Sequence, residues 1–179
     1  ADVTLGAVPK VDRLTLDAGG LKAEGKVTMR ADGGGLDLAR FDRVTLDKWL
    51  DSTVELSGRG PGKPVGIALK GGSVDLRHVP GSDQRGSGKG GAKPGPLRLD
   101  LDRLIVTSNI ALTNFSGDFS LAPGFSGDFT AQMNGGPEVT GTAVPNPNGT
   151  AVRLRARDGG AVFAAAGLFS SARGGAMEL

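Results

Sequence analysis

Histidine occurs once in this chain, at His78, and cysteine does not occur at all. A Ser-His-Asp relay needs an imidazole beside a nucleophile, and zinc needs several convergent nitrogen or sulfur donors. A solitary histidine therefore reads as a strand-end or surface residue. Asp12, Asp42 and Asp102 recur in one local setting and could hold Ca²⁺, as acidic solenoid repeats do. Each is followed by an arginine, however, and none lies in the glycine-rich nonapeptide of such sites. An Asp-Arg pair at a backbone corner is the better reading. Asp118 and Asp128 each follow a glycine and read as turn residues rather than as the carboxylate pair of a glycosidase, which would also want sugar-stacking aromatics. Gly86 to Gly91 matches G-x-G-x-x-G, but Pro94 and Pro96 forbid the helix that must follow. Gly60-Pro61-Gly62-Lys63-Pro64 lacks the Ser or Thr of a phosphate loop. The expectation is a chain without catalytic, cofactor-binding or metal-binding residues, and not an enzyme.

The elements that would position any site come from a repeat. The pattern apolar-Asp-Arg-apolar-x-apolar reads Val11-Asp12-Arg13-Leu14-Thr15-Leu16, then Phe41-Asp42-Arg43-Val44-Thr45-Leu46, then Leu101-Asp102-Arg103-Leu104-Ile105-Val106. The spacings are 41 − 11 = 30 and 101 − 41 = 60 residues, the mark of a stacked supersecondary unit. Between copies the chain alternates: Leu21, Ala23, Gly25, Val27 and Met29 interleave with Lys22, Glu24, Lys26, Thr28 and Arg30. That period of two is a strand with one dry and one wet face. Asp32-Gly33-Gly34-Gly35 supplies a hairpin turn. The apolar phase inverts across each dipeptide, from odd Leu97, Leu99 and Leu101 to even Leu104 and Val106. One added residue swaps the faces of a strand, so each copy should hold a β-bulge or tight corner. The dipeptide should be exposed, with the apolar residues on both sides of it sharing one face.

The 179 residues include 31 Gly, 38% apolar residues, 4% aromatics and no Tyr. Such a chain has a thin core, or borrows burial from a ligand, a partner or a longer chain. A net charge of +2 with Asp and Arg alternating lacks the clustered positive charge of a nucleic-acid binder. No apolar run is long enough to span a bilayer, and no signal peptide opens the chain. It begins and ends in mid-pattern, so we read it as an excised or processed segment.

Further along, Asp47 to Asp51 suggests one helical turn with Asp47 as N-cap and Trp49 in the core or capping an edge. Two strands follow in 54–79, split by a Gly-Pro-rich turn at 58–64. Residues 80–96 contain no apolar side chain larger than Ala or Pro and read as a flexible loop. Phe115-Ser116-Gly117-Asp118-Phe119 recurs ten residues later as Phe125-Ser126-Gly127-Asp128-Phe129, suiting two strands joined at Pro123-Gly124. Short strands follow near 139–144 and 151–156 around an Asn146 to Gly149 turn. A helix is expected at about 159–173, capped by Asp158. Val162, Ala165, Ala166 and Phe169 would share its face, Arg173 its last turn, and Gly174 would follow as C′. The fold class is mainly β: an elongated antiparallel or meander sheet curved into a groove, with one short C-terminal α-helix. The organisation is 1–79, the loop 80–96 and 97–179, within one continuous domain.

The last third carries a further signature. Gly127-Asp128-Phe129-Thr130-Ala131-Gln132-Met133-Asn134-Gly135-Gly136 is followed by Val139-Thr140-Gly141, Gly149-Thr150, Asp158-Gly159-Gly160-Ala161-Val162-Phe163, Ala166-Gly167-Leu168-Phe169 and Arg173-Gly174-Gly175-Ala176-Met177-Glu178-Leu179. This order resembles the AsmA-like C-terminal region of large envelope proteins of Gram-negative bacteria, over about residues 115–179. The family usually has Asp-Ala-Gly where Asp158-Gly159-Gly160 stands here. The resemblance implies a periplasmic part of an inner-membrane-anchored protein, related to the TamB group and the bridge-like lipid transfer proteins. It implies a β trough that carries phospholipid towards the outer membrane, with no enzymatic residues and no cofactor. The partners it implies are phospholipid acyl chains, the remainder of the same long chain and envelope proteins, and no nucleic acid. The groove-lining candidates are Leu97, Leu99, Leu101, Leu104, Val106, Phe119 and Phe129. Each CH₂ removed from water contributes about 0.8 kcal/mol, so a chain of roughly 16 carbons gains on the order of 10 kcal/mol. The alternative is a structural or adhesive β-repeat module, as in an autotransporter passenger, with a self-filled core and no lipid.

Overall fold

The computed structural model describes residues 2–4, 8–79, 95–122, 124–147 and 149–179. Most of the expected loop, the G-x-G-x-x-G match and Pro123 lie outside them. The described strands are β1 (Asp2–Thr4), β2 (Lys10–Ala18), β3 (Leu21–Met29), β4 (Leu36–Leu46), β5 (Leu50–Ser57), β6 (Gly66–Asp75), β7 (Pro96–Ile105), β8 (Ala111–Ser120), β9 (Ser126–Met133), β10 (Glu138–Asn146), β11 (Gly149–Ala156) and β12 (Met177–Glu178). They form one open sheet of twelve strands in chain order. Neighbours pair antiparallel except β6 and β7, which run parallel. A parallel pair needs a crossover connection, and residues 80–94 of that connection are outside the described set. Buried side chains from β3 to β12 belong to a single apolar cluster, so the sheet curves around its dry face. The mainly β expectation, with a single short helix near the C-terminus, holds.

Each Asp-Arg dipeptide is exposed, and the residues flanking it are buried or half-buried. The register shows why. Val11 pairs with Val27 and Leu14 with Gly25, so β2 spends three residues where β3 spends two. Phe41 pairs with Val54 and Val44 with Ser52, the same excess on β4. Thr53 lies opposite the extra residue and donates from Oγ1 to the Asp42 carbonyl at 2.9 Å. At the third dipeptide β7 keeps register with β8, because β8 has its own irregularity at Asn114, which sits at φ +48°. The excess then appears between β8 and β9.

The structure also fills the gap between 41 and 101. Gly71 and Gly72, at φ +66° and +70°, form the bulge of β6. Ser73-Val74-Asp75-Leu76 then continues the pattern, so the copies start at 11, 41, 71 and 101. β6 and β7 pair at this same period, Ile67 with Leu97 and Val74 with Leu104. Two consecutive left-handed residues require glycine. A Cβ on Gly72 would in addition strike the Asp51 carbonyl. Asp102 Oδ2 accepts from the Gly72 amide at 2.7 Å, and the buried Ser52 hydroxyl donates to the Gly71 carbonyl at 2.9 Å. The bulges therefore form a line across the sheet from β2 to β8.

Three expectations need correction. Asp47, Lys48 and Trp49 are a hairpin turn, not a helical one. Leu46 pairs with Leu50, which leaves three linking residues, and Asp47 sits at φ +47°, a conformation Asp tolerates better than most side chains. The helix α1 spans only Gly159–Ala165. Asp158 does cap it, Oδ1 accepting from the Ala161 amide at 2.8 Å. Gly167, at φ +75°, ends it: Leu168 N donates to Phe163 O and Gly167 N to Ala164 O, at 2.9 and 3.0 Å, a Schellman closure. Phe169 is thus off the helix and 63% exposed. Finally, Asp118 and Asp128 lie within β8 and β9, directly opposite one another, rather than in turns.

Gly33→Ala, strained at φ +71° but with open space around its Cβ, is expected to lose about 1 kcal/mol of stability. Gly72→Ala adds the Asp51 collision to the same strain and should lose several-fold more. Urea midpoints of the two variants check this, and equal losses would contradict the bulge line.

Candidate functional site

The dry face is built from lateral rows that run across the strands. One row passes through Leu14, Gly25, Phe41, Val54, Leu69, Leu99, Gly117, Phe129, Gly141 and Leu154, each registered with the next. The adjacent row runs in the same way from Val11 through Leu56, Ile67, Leu97 and Phe119 to Val152. Beyond the bulge line a third row includes Leu46, Leu50, Val74, Leu104, Leu112 and Met133. None of the residues named in these three rows is polar or charged. The first two rows span ten strands, and nine steps of about 4.8 Å give a strip of roughly 43 Å. A single acyl chain occupies about half of a bilayer core of roughly 30 Å, so the strip is longer than its length.

Burial changes along the strip. Leu101, Phe115, Phe119, Phe129 and Val139 are nearly or wholly buried at the β7–β10 end. Phe115 stacks on Phe129 at 5.0 Å between centroids, and Phe119 on Phe125 at 4.7 Å. These rings lie flat because glycines stand beneath them. A Cβ on Gly141 would enter the Phe129 ring, and one on Gly127 would meet Phe119. Val162 of α1 is buried in the same cluster. Towards β2 the face opens: Val11, Leu14, Val27, Phe41 and Val54 are half-buried and Leu16 is 40% exposed.

Of the residues expected to line a groove, Leu101, Leu104, Phe119 and Phe129 are in the buried cluster. Leu97 and Leu99 pack against it half-buried. Val106 lies past the end of β7, 37% exposed, its amide donating to Ile110 O at 2.9 Å, and joins none of the others. Phe41, Val54 and Leu69 extend the same rows and were not singled out from the sequence. Their signal was the even phase of β5 beside the odd phase of β6. Trp49 packs against the cluster, as expected of a core residue, but its buried Nε1 has no hydrogen-bond partner among the described residues.

The wet face carries a ladder of ion pairs. Glu55 bridges Arg40 and Lys70 at 3.0 and 3.2 Å, and these two bonds hold its carboxyl below the usual value. Arg43 pairs with Asp51 at 2.7 Å. Asp118 faces Asp128, but Asp118 is near Arg98 at 3.8 Å and Asp128 accepts from Thr142 Oγ1 at 2.7 Å, so each has its own counterpart. His78 ends a 3₁₀ turn, Leu76–His78, that follows β6. Its Nδ1 lies 3.1 Å from Asp75 Oδ2. Asp75, 8% exposed, is also held by Arg77, whose Nε and Nη2 donate at 2.8 and 2.6 Å. The Arg77 guanidinium is the main reason that this carboxyl titrates well below the ordinary aspartate value. Among the described residues no group of three or more His, Asp and Glu side chains could hold a metal ion, and no helix is long and apolar enough to cross a membrane.

What this geometry defines is a class: an open, single-layer β sheet with one continuous apolar face and one ion-paired face. The chain matches no family model, no curated protein and no solved structure.

Asp75 supplies a pH signature. Its folded pKa is lowered from 3.8, so its stabilisation is complete above that ordinary value and is lost as pH falls below it. Urea midpoints of the native chain should fall on acidification below about pH 4, and those of Asp75→Asn should fall less steeply. Parallel curves would show that Asp75 plays no part.

Proposed function

We propose that this chain binds phospholipid acyl chains along its apolar face, without enzymatic activity. It does so as a periplasmic segment of an inner-membrane-anchored, AsmA-like protein that supports outer-membrane biogenesis and integrity. One observation carries the binding reading: two registered apolar rows cross ten strands without a polar residue, and remain half-exposed towards β2. Exposed apolar area of this extent usually marks a binding surface. An uncharged wall without directional polar groups suits a ligand that must slide. The envelope setting rests on the residues of 115–179 that resemble the family.

The stacked phenylalanines favour a second reading at one end only. There the face fills itself, as a structural β-repeat module would. Acyl chains are therefore assigned to the β2–β7 part of the strip, bounded by the aromatic patch of β8 and β9.

Ligand chain length separates the two readings. Lysophospholipids of increasing acyl length should bind about fourfold more tightly per added CH₂, the equivalent of roughly 0.8 kcal/mol, until the open strip is filled. Native mass spectrometry of the chain with such a series measures this. Absence of bound lipid, or affinity independent of chain length, would leave only the scaffold reading.

A further inference from the structure

Where β6, β7 and β8 end together, a cleft of about 340 Å³ is lined by Arg77, Arg103, Thr107, Asn109, Thr113 and Asn134 among its polar residues. Among the described residues no Asp or Glu lines it. Arg77 spends Nε and Nη2 on Asp75, and its Nη1 has no partner among the described residues. Arg103 makes no ion pair or hydrogen bond among the described residues. Its position explains this. The carboxylate next to it in sequence, Asp102, is turned to the Gly72 amide at 2.7 Å. Its registered neighbours on either side are Ser73 and Thr113. The next residue in that row, Asp51, is already held by Arg43 at 2.7 Å. The repeat thus satisfies Arg43 at its second copy and leaves Arg103 unsatisfied at its last.

Of the two arginines that line the cleft, Arg77 is neutralised by Asp75, whereas Arg103 has no counter-charge among the described residues. A guanidinium fork matches the geometry of an oxyanion and binds it through paired N–H donors. The Thr107 hydroxyl adds a donor: its oxygen accepts from the Asn109 and Ile110 amides at 3.3 and 3.1 Å, so its proton is free for a ligand. We propose that this cleft binds a phosphate-type oxyanion, with Arg103 as its principal ligand and Arg77 and Thr107 completing the set. Free phosphate and the phosphate of a lipid headgroup share this chemistry. The inference stands on the cleft alone and does not require acyl chains on the apolar face.

The test titrates the whole chain with sodium phosphate by calorimetry. In parallel it is sedimented with vesicles of phosphatidylcholine, with and without phosphatidic acid. Arg103→Gln is compared with Arg13→Gln, the equivalent residue of the first copy, outside the cleft. Binding to phosphate or to the acidic vesicles should weaken on the order of tenfold in Arg103→Gln, as expected for a lost charge-assisted pair, and persist in Arg13→Gln. Binding to phosphate identifies the free anion as a ligand. Binding to acidic vesicles alone identifies the headgroup. Failure of both, or equal affinity in Arg103→Gln, overturns the proposal. Any chain-length dependence of lysophospholipid binding would survive that outcome.

Discussion

One extra residue in a strand exchanges its inside for its outside, and this sheet meets that constraint at the same level in strand after strand. Leu101 and Leu104 are both buried although three residues apart, and Phe41 and Val44 lie on the same side for the same reason. The bulge absorbs the odd residue, so apolar rows above and below it share a face. Without it the rows through Leu99 and through Leu104 would point opposite ways, and neither a core nor a continuous apolar face would exist. The same bulge pushes Asp and Arg outward, where they join the charges that Arg40, Glu55 and Lys70 place on the wet face by ordinary alternation.

The dry face is not uniform. Where Phe119 and Phe129 meet Gly117, Gly127 and Gly141 across β8–β10, with Phe115 stacked on Phe129, the rings lie against bare backbone and seal the surface. Where the neighbours are Val, Leu and Ala, towards β2, no such closure forms and side chains stay half-exposed. A low aromatic content, concentrated in one patch, divides the sheet into an end that completes itself and an end that does not.

Much of this was legible in the residues. The phase inversion at Asp-Arg announced the bulges, and Lys-Glu-Lys alternation announced which side is wet. The copy at 71 was hidden because Gly-Gly-Ser does with backbone freedom what Asp-Arg does with side chains, and only φ reveals the equivalence. The helix ends at Ala165, short of the expected 173, because a left-handed glycine, Gly167, closes it before Gly174 is reached. What chose between them was the closing bonds of Leu168 and Gly167 onto Phe163 and Ala164. Asp118 and Asp128 looked like turn residues because each follows a glycine. Those glycines serve the rings, not the turns, a role visible only once the strands are laid side by side. The apolar strip was readable as a set of alternating leucines, but its extension onto Phe41, Val54 and Leu69 depends on how strands register, which no single strand displays.

The parallel contact of β6 with β7 brings Ile67 beside Leu97 and Val74 beside Leu104, so two successive units touch at equivalent points. The same 30-residue step carries the chain two strands across the sheet from β2 to β4 and from β4 to β6, but only one strand from β6 to β7. The width gained per repeat is therefore halved at the parallel pair, and this is the one seam, among the described residues, where equivalent positions of successive repeats meet directly.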